Sequence, residues 1–263
     1  ERWLWQSDPF QPVIKHNRLF GRGAADSKGG TAAILATLEA LKKADITPAG
    51  DIRVALTADG EGAMQGVKTL IGSDVVQGIQ GVIAVAPTEN RMCLTSKGRT
   101  DGWIHIYGQS AHTSLRDAGV NAIHTASRFI HHLLSRRPTH QPHALLGESW
   151  WSVTMIHGGM GESIVPDSCG LNIEGRLVPG QSAQQFWDDV EEVLQDMARA
   201  DDTFSARIKI LSEVPAWETP QETPFAAIIK RAIRMVTHKE PDLSGYPAVS
   251  DGSYFSLFLG LPV

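Results

Sequence analysis

The sequence predicts an α/β fold in which a mostly parallel sheet with flanking helices forms one discontinuous domain, and a ferredoxin-like α+β domain is inserted into it. Three observations predict it. Strand-like and helix-like segments alternate over residues 31–85. A β-α-β-β-α-β order occupies residues 98–213. From Pro215 onward, a helical segment and an apolar one suggest a return to the first sheet. The expected boundaries are 1–97 and 214–263 for the two parts of the first domain and 98–213 for the insert.

Taken in order, the first residues (Trp3, Trp5, Asp8-Pro9-Phe10) read as a loop, without the basic start and apolar core of a signal peptide. Thr31 to Leu41 carries Ala33, Ile34, Leu38 and Leu41 at helical spacing. Ile52, Val54 and Leu56 mark a short strand from Asp51 to Leu56; a helix follows from Met64 to Ile71 and a buried strand from Gly81 to Val85. After Lys97-Gly98-Arg99 the pattern changes: Trp103, His105 and Tyr107 alternate with Ile104 and Ile106, as in a half-buried strand. A helix over Asn121 to Leu134, strands over Trp151 to Ile156 and Cys169 to Arg176, a helix over Ala183 to Ala198 and a strand over Phe204 to Ile210 complete the insert. Pro138 to Glu148, rich in Pro and His, is the expected flexible loop, with His140 and His143 as solvated loop histidines. A helix at Pro224 to Val236 precedes the 245–263 segment. Glu1 is not an initiator Met and the apolar run Leu257 to Val263 stops as though inside a core strand, so a fragment is expected.

Composition narrows the function classes. The 263 residues are 42% hydrophobic, ordinary for a globular chain, and no apolar run reaches the roughly 18 residues a membrane-spanning helix needs. A net charge of -5 with dispersed signs argues against a nucleic-acid partner. Two cysteines, Cys93 and Cys169, make neither a disulfide framework nor a zinc site by themselves, so a reducing cytoplasm is the expected location.

The run Gly21-Arg22-Gly23-Ala24-Ala25-Asp26-Ser27-Lys28-Gly29-Gly30 places one carboxylate between a glycine-rich turn and an apolar helix. By itself Asp26 is equally a helix N-cap. A phosphate-binding loop is excluded, because Lys28 is followed by Gly29 rather than Ser or Thr.

The decapeptide as a whole resembles the Gly-Arg-Gly-Ala-x-Asp-x-Lys-Gly signature of the acetylornithine deacetylase and succinyl-diaminopimelate desuccinylase family, the aminoacylase-type di-zinc metallopeptidases. The resemblance implies an α/β metal-binding domain carrying a ferredoxin-like lid that commonly forms a homodimer. It also implies hydrolysis, by zinc-activated water, of an N-acyl or peptide amide beside a carboxylate. Cobalt or manganese can occupy such carboxylate and imidazole sites as well. Asp26 matches the carboxylate bridging two zinc ions. Thr57-Ala58-Asp59-Gly60-Glu61-Gly62 matches the family's Asp-Glu-Glu stretch. There Glu61 stands for a zinc ligand, but Gly60 occupies the general-base position and cannot carry a proton. Ala86-Pro87-Thr88 replaces Glu-Pro-Thr, so a second carboxylate is missing, with Glu89 three residues on. The family's two histidine ligands, one in Gly-His-x-Asp and one near the C-terminus, have no counterpart here. Two carboxylates are too few for a tight zinc site.

The substrate side is better preserved. Gly108-Gln109-Ser110-Ala111-His112-Thr113-Ser114 and Gly119-Val120-Asn121-Ala122-Ile123 resemble the lid signature whose His stabilises the oxyanion across the dimer. As a residue type alone, His112 also suits a strand end capping the next turn. Ser163 stands where the family's Asn contacts substrate, in Gly158-Gly159 to Pro166. Arg176 matches the arginine that grips a substrate carboxylate, although pairing with a neighbouring acid is the alternative. Asp251 falls beside the cleft in the family, although Ser250-Asp251-Gly252 is also ordinary turn chemistry. The resemblance therefore implies a metal-dependent amide hydrolase whose catalysis is impaired by Gly60 and Ala86. A non-catalytic dimeric module binding a small carboxylate is the alternative.

Overall fold

The computed structural model describes residues 4–263, apart from the side chain of Arg116; Trp3, in the expected N-terminal loop, lies outside them. A hairpin comes first, β1 (Val13–Lys15) with β2 (Arg18–Phe20), turned by His16 and Asn17 at φ 50° and 59°. An irregular turn over 24–29 leads into α1 (Gly30–Lys43). Then follow α2 (Gln65–Ile71), β3 (Met92–Ser96), β4 (Gly98–Tyr107), β5 (Ala111–His112) and α3 (Ala122–Leu134). The order continues with β6 (Trp150–Gly158), β7 (Ile164–Val165), β8 (Ser168–Leu177), α4 (Ala183–Ala200) and β9 (Ser205–Val214). It closes with β10 (Trp217–Glu218), α5 (Pro224–Thr237), β11 (Leu243–Tyr246) and α6 (Gly252–Leu259).

The best-packed unit is a four-stranded antiparallel sheet in the order β6-β8-β4-β9, with α3 and α4 against one face. Alternation explains it: Ile104 and Ile106 of β4 and Leu171 and Ile173 of β8 are fully buried against Phe129, Leu133, Phe186 and Val190 of the two helices. The opposite face carries Trp103, His105, Asn172, Glu174 and Arg176. Side chains written into the sequence start the helices. Asn121 Oδ1 accepts from the amides of Ile123 and His124 at 3.0 and 3.1 Å, and Ser182 with Gln185 closes a reciprocal capping box at α4. Thr223 caps α5, with Pro224 in its first turn.

A second sheet, β10-β3-β11, is mixed: β3 pairs antiparallel with β10 and parallel with β11. It supports α5 through Met92, Leu94, Ala226, Ile229 and Ile233. Beside it Met64, Val67, Val214, Trp217, Tyr254 and Phe255 form a smaller core.

Several expectations need correction here. Neither 51–56 nor 81–85 is a strand in the structure. Both lack a ladder partner among the described residues, and Leu56 and Ile83 are each 69% exposed. Arg53 holds the first of them, donating to the carbonyls of Val75 and Gln77 at 2.6 Å each. Leu257 to Leu259 are the last turn of α6, ended by Gly260 in the left-handed region at φ 64°, and not the start of a strand. The loop expected to be flexible is tied down: Thr139 bonds Asp189 through both its amide and its hydroxyl, Arg137 pairs with Glu148, and His143 meets Glu218 at 3.2 Å. No helix among the described residues is long and apolar enough to cross a membrane.

Candidate active site

The part of the site richest in hydrogen bonds is the turn 59–65. Asp59 sits in the left-handed region at φ 66° and accepts four backbone amides. Its carbonyl takes Gly62 and Met64 at 3.1 and 3.0 Å, and its Oδ2 takes Ala63 and Gln65 at 3.1 and 3.3 Å. These bonds satisfy donors at the entry to α2 that would otherwise be orphaned. Gly60 is exposed at the tip, where an added Cβ meets no atom within 4 Å, whereas at Gly62 it would lie 2.0 Å from Asp59 Oδ1. Glu61 is exposed, and its carbonyl accepts from Arg99 Nη1 at 3.0 Å. Thr57, just upstream, donates its hydroxyl to Asp251 Oδ2, which ties Asp251 to this segment.

Asp26 is exposed in the irregular turn, with φ -116° and ψ 99°. It does not cap α1, whose N-cap is Gly29 without a side-chain bond. Its neighbourhood shows in Tyr246: burial pushes the phenol upward, the Asp26 carboxylate and Cys93 push the same way, and Arg176 offsets them. Asp26 and Arg176 therefore both act on the Tyr246 hydroxyl. Arg176 already holds an acid, its Nε and Nη2 meeting Glu174 Oε1 at 2.9 and 2.8 Å. Lys97 is buried behind this group, donating to the carbonyl of Glu148 with its ammonium 3.6 Å above the Trp150 ring. Burial, then Arg176, lowers its pKa to about 8, with Glu148 opposing.

His112 and Ser163 form a separate cluster. β5 pairs antiparallel with β7, setting His112 opposite Ile164, and the Thr113 amide donates to the Ser163 carbonyl at 3.0 Å. His112 Nδ1 lies 2.8 Å from the Ser114 hydroxyl and accepts the Ser114 amide at 3.2 Å, so the turn contact open to a strand-end histidine is the one it makes. Ser163 adopts φ 63°, a conformation that suits Asn or Gly better. No hydrogen bond or ion pair joins His112 to Asp26, Glu61 or Arg176 among the described residues. Ala86 lies in an irregular segment whose next carboxylate, Glu89, is turned to Arg91 at 3.0 Å.

A sequence profile of the peptidase family M20/M25/M40 matches residues 1–262. The chain belongs to this family. Curated relatives of this M20 chain include acetylornithine deacetylase of Buchnera aphidicola subsp. Acyrthosiphon pisum (strain 5A), 29% identical over 240 residues, 88% of this chain and 61% of that protein. Succinyl-diaminopimelate desuccinylase of Nitrosomonas europaea is 28% identical over 263 residues, 96% of this chain and 68% of that protein. The chain spans about 60% of the length of the acetylornithine deacetylases it matches. A tripeptidase from Staphylococcus aureus superposes with TM-score 0.78 at 23% identity, over 96% of this chain and 66% of that one. An M20 family metallo-carboxypeptidase from Sulfolobus solfataricus gives 0.73 at 15% identity, over 99% and 72%. Both share the mixed α/β fold.

Of the donors that a metal of this family would need, the described residues of the chain supply only part. Among the described residues no group of three or more His, Cys, Asp or Glu side chains is placed to hold an ion, and Asp26 and Glu61 stand as two carboxylates. Sequence reasoning missed Asp59, Arg99, Lys97 and Tyr246. For Asp59 a signal existed, an Asp-Gly pair just ahead of an apolar helix; Arg99 and Tyr246 gave none.

Proposed function

We propose that this chain carries the scaffold of an M20 amide hydrolase for small N-acyl amino acids or peptides bearing a carboxylate, and that its catalysis is impaired. In this reading residues 1–97 and 214–263 form the metal-binding hydrolase domain. Residues 98–213 form a ferredoxin-like lid through which the protein dimerises, with no nucleic-acid or membrane partner and in the cytoplasm. The family's two zinc ions would be met by Asp26 and Glu61; His112 would serve the oxyanion of the partner subunit, and Arg176, Ser163 and Asp251 the substrate. The names of the curated relatives support the reaction class, and the β-α-β-β-α-β unit supports the lid.

One observation carries the impairment. The turn that would present a general base is fully built, with Asp59 satisfying four of its amides, yet its tip is Gly60 with open space around it. A positioned proton acceptor contributes about a hundred- to ten-thousandfold, and glycine supplies none of it. The test is amide hydrolysis by the full-length protein with zinc added: turnover at or near background is expected, and robust metal-dependent turnover overturns the reading. Light scattering should give a dimer; a monomer at micromolar concentration would remove the lid assignment.

A further inference from the structure

We propose that Arg99 is a positioning residue that sets the Glu61 turn relative to Arg176. Its guanidinium reaches from the first residues of β4 to the turn 59–65, donating from Nη1 to the Glu61 carbonyl at 3.0 Å and from Nη2 to the Gly62 carbonyl at 2.5 Å. Asp59 gathers the amides of this turn, and Arg99 takes two of its carbonyls. Side-chain bonds therefore fix both polarities of the turn. Arg99 stands directly opposite Arg176 in the β4–β8 ladder, with Trp150 beyond it on β6. Two cations facing one another across a ladder repel unless each has its own acceptor. Arg176 has Glu174 and Arg99 has the turn. The Arg99 Nε is buried without a partner among the described residues, and both terminal nitrogens of the fork go to the two carbonyls.

The geometry makes Arg99 a strut between two parts of the site that separate elements carry: the turn with Gly60 and Glu61, and the sheet end with Arg176. Lysine cannot replace this strut fully, because an ammonium lacks the planar fork that spans two consecutive carbonyls. The inference rests on the reading that Glu61 and Arg176 serve one site, and its test separates the two.

In the full-length protein, hydrogen exchange is measured by mass spectrometry for wild type, Arg99→Lys and Arg99→Met. The amides of residues 62–65 should exchange at least tenfold faster in Arg99→Met and by an intermediate factor in Arg99→Lys, with β8 and α4 unchanged. In a background carrying Gly60→Glu and Ala86→Glu, Arg99→Met should lower kcat at least tenfold while KM for an N-acetyl amino acid stays within threefold. Unchanged exchange in the turn, equal acceleration throughout β4 and β8, or unchanged kcat in an active background each overturns the proposal. If Arg99→Met does not fold, Arg99→Lys decides by the same criteria. If the background shows no turnover, the hydrolase reading fails and the exchange measurement still decides the role of Arg99.

Discussion

Gly60→Glu is the substitution that most directly separates scaffold from chemistry. An added Cβ meets no described atom within 4 Å and the backbone there lies outside the left-handed region, so the Cβ enters this exposed turn without a clash. Replacing glycine at a compatible position removes freedom from the unfolded chain, so melting should hold or rise, by about 0.4–1 kcal/mol at most. The catalytic effect is read against Ala86→Glu alone, so that the carboxylate missing at 86 is common to both proteins. Adding Gly60→Glu to that background should raise kcat/KM for an N-acetyl amino acid about a hundred- to ten-thousandfold, a barrier change of roughly 3–5 kcal/mol. The assay is zinc-supplemented hydrolysis followed by amine release, on full-length protein. Gly62→Ala is the steric control: its Cβ would fall 2.0 Å from Asp59 Oδ1, so it should abolish the gain when combined. A gain below about tenfold, with melting and turn exchange intact, refutes the assignment of position 60 as the base.

Three further outcomes follow from other parts of the chain. Gly98→Ala places a Cβ 2.4 Å from the Ala216 amide nitrogen and 2.6 Å from the Val214 carbonyl, both rigid backbone. It should cost at least about 1–3 kcal/mol in urea unfolding, and a neutral result would show that the β4 and β9 ends can part. Ser163→Asn relieves a left-handed residue at φ 63° and should raise stability by about 0.5–1 kcal/mol; a lower melting temperature refutes the strain argument. Lys97, lowered from 10.5 to about 8, releases its proton from the folded chain before the unfolded one. Wild type should therefore gain stability relative to Lys97→Met as pH rises from 8 towards 10.5, and parallel urea midpoints across that window refute it.

The legibility of this chain divides by where the determining contacts lie. In the 98–213 unit, patterns local to the sequence decide the elements. Ile104 and Ile106 alternate with less buried neighbours, and Asn121 and Ser182 are caps that act within three residues. Strand β3 went unread because Thr95 and Ser96 look like loop residues. Tertiary contacts bury both, and Thr95 donates to the Trp217 carbonyl at 2.7 Å across 122 positions. Segments 51–56 and 81–85 show the converse. Their apolar residues have strand propensity, but a strand exists only when a neighbour supplies the ladder, and propensity is silent on that. At the candidate site, Asp26, Glu61, His112 and Arg176 are proposed from motif spacing, and the structure holds His112 apart in the β5–β7 cluster. Arg99 and Tyr246 act through partners 38 and 220 positions away, which no local pattern encodes.

The turn 59–65 also bears on what kind of change this chain carries. A site drifting without constraint should lose the bonds that shape it along with the side chains that react. Here Asp59 keeps a costly left-handed backbone and collects four amides, and Arg99 spends two donors on carbonyls of the same turn. What the turn lacks is one carboxylate, at the position with the most room for it. Strain of this kind persists only where surrounding structure over-determines it, and the surrounding structure here is bonding that crosses from β4 to the turn. At this turn the departure from the family's motif is a side chain, while the backbone bonds that shape the turn are in place. The proposed impairment therefore turns on residues 60 and 86, and at 60, where an added Cβ has room, a single substitution reads it without rebuilding the fold.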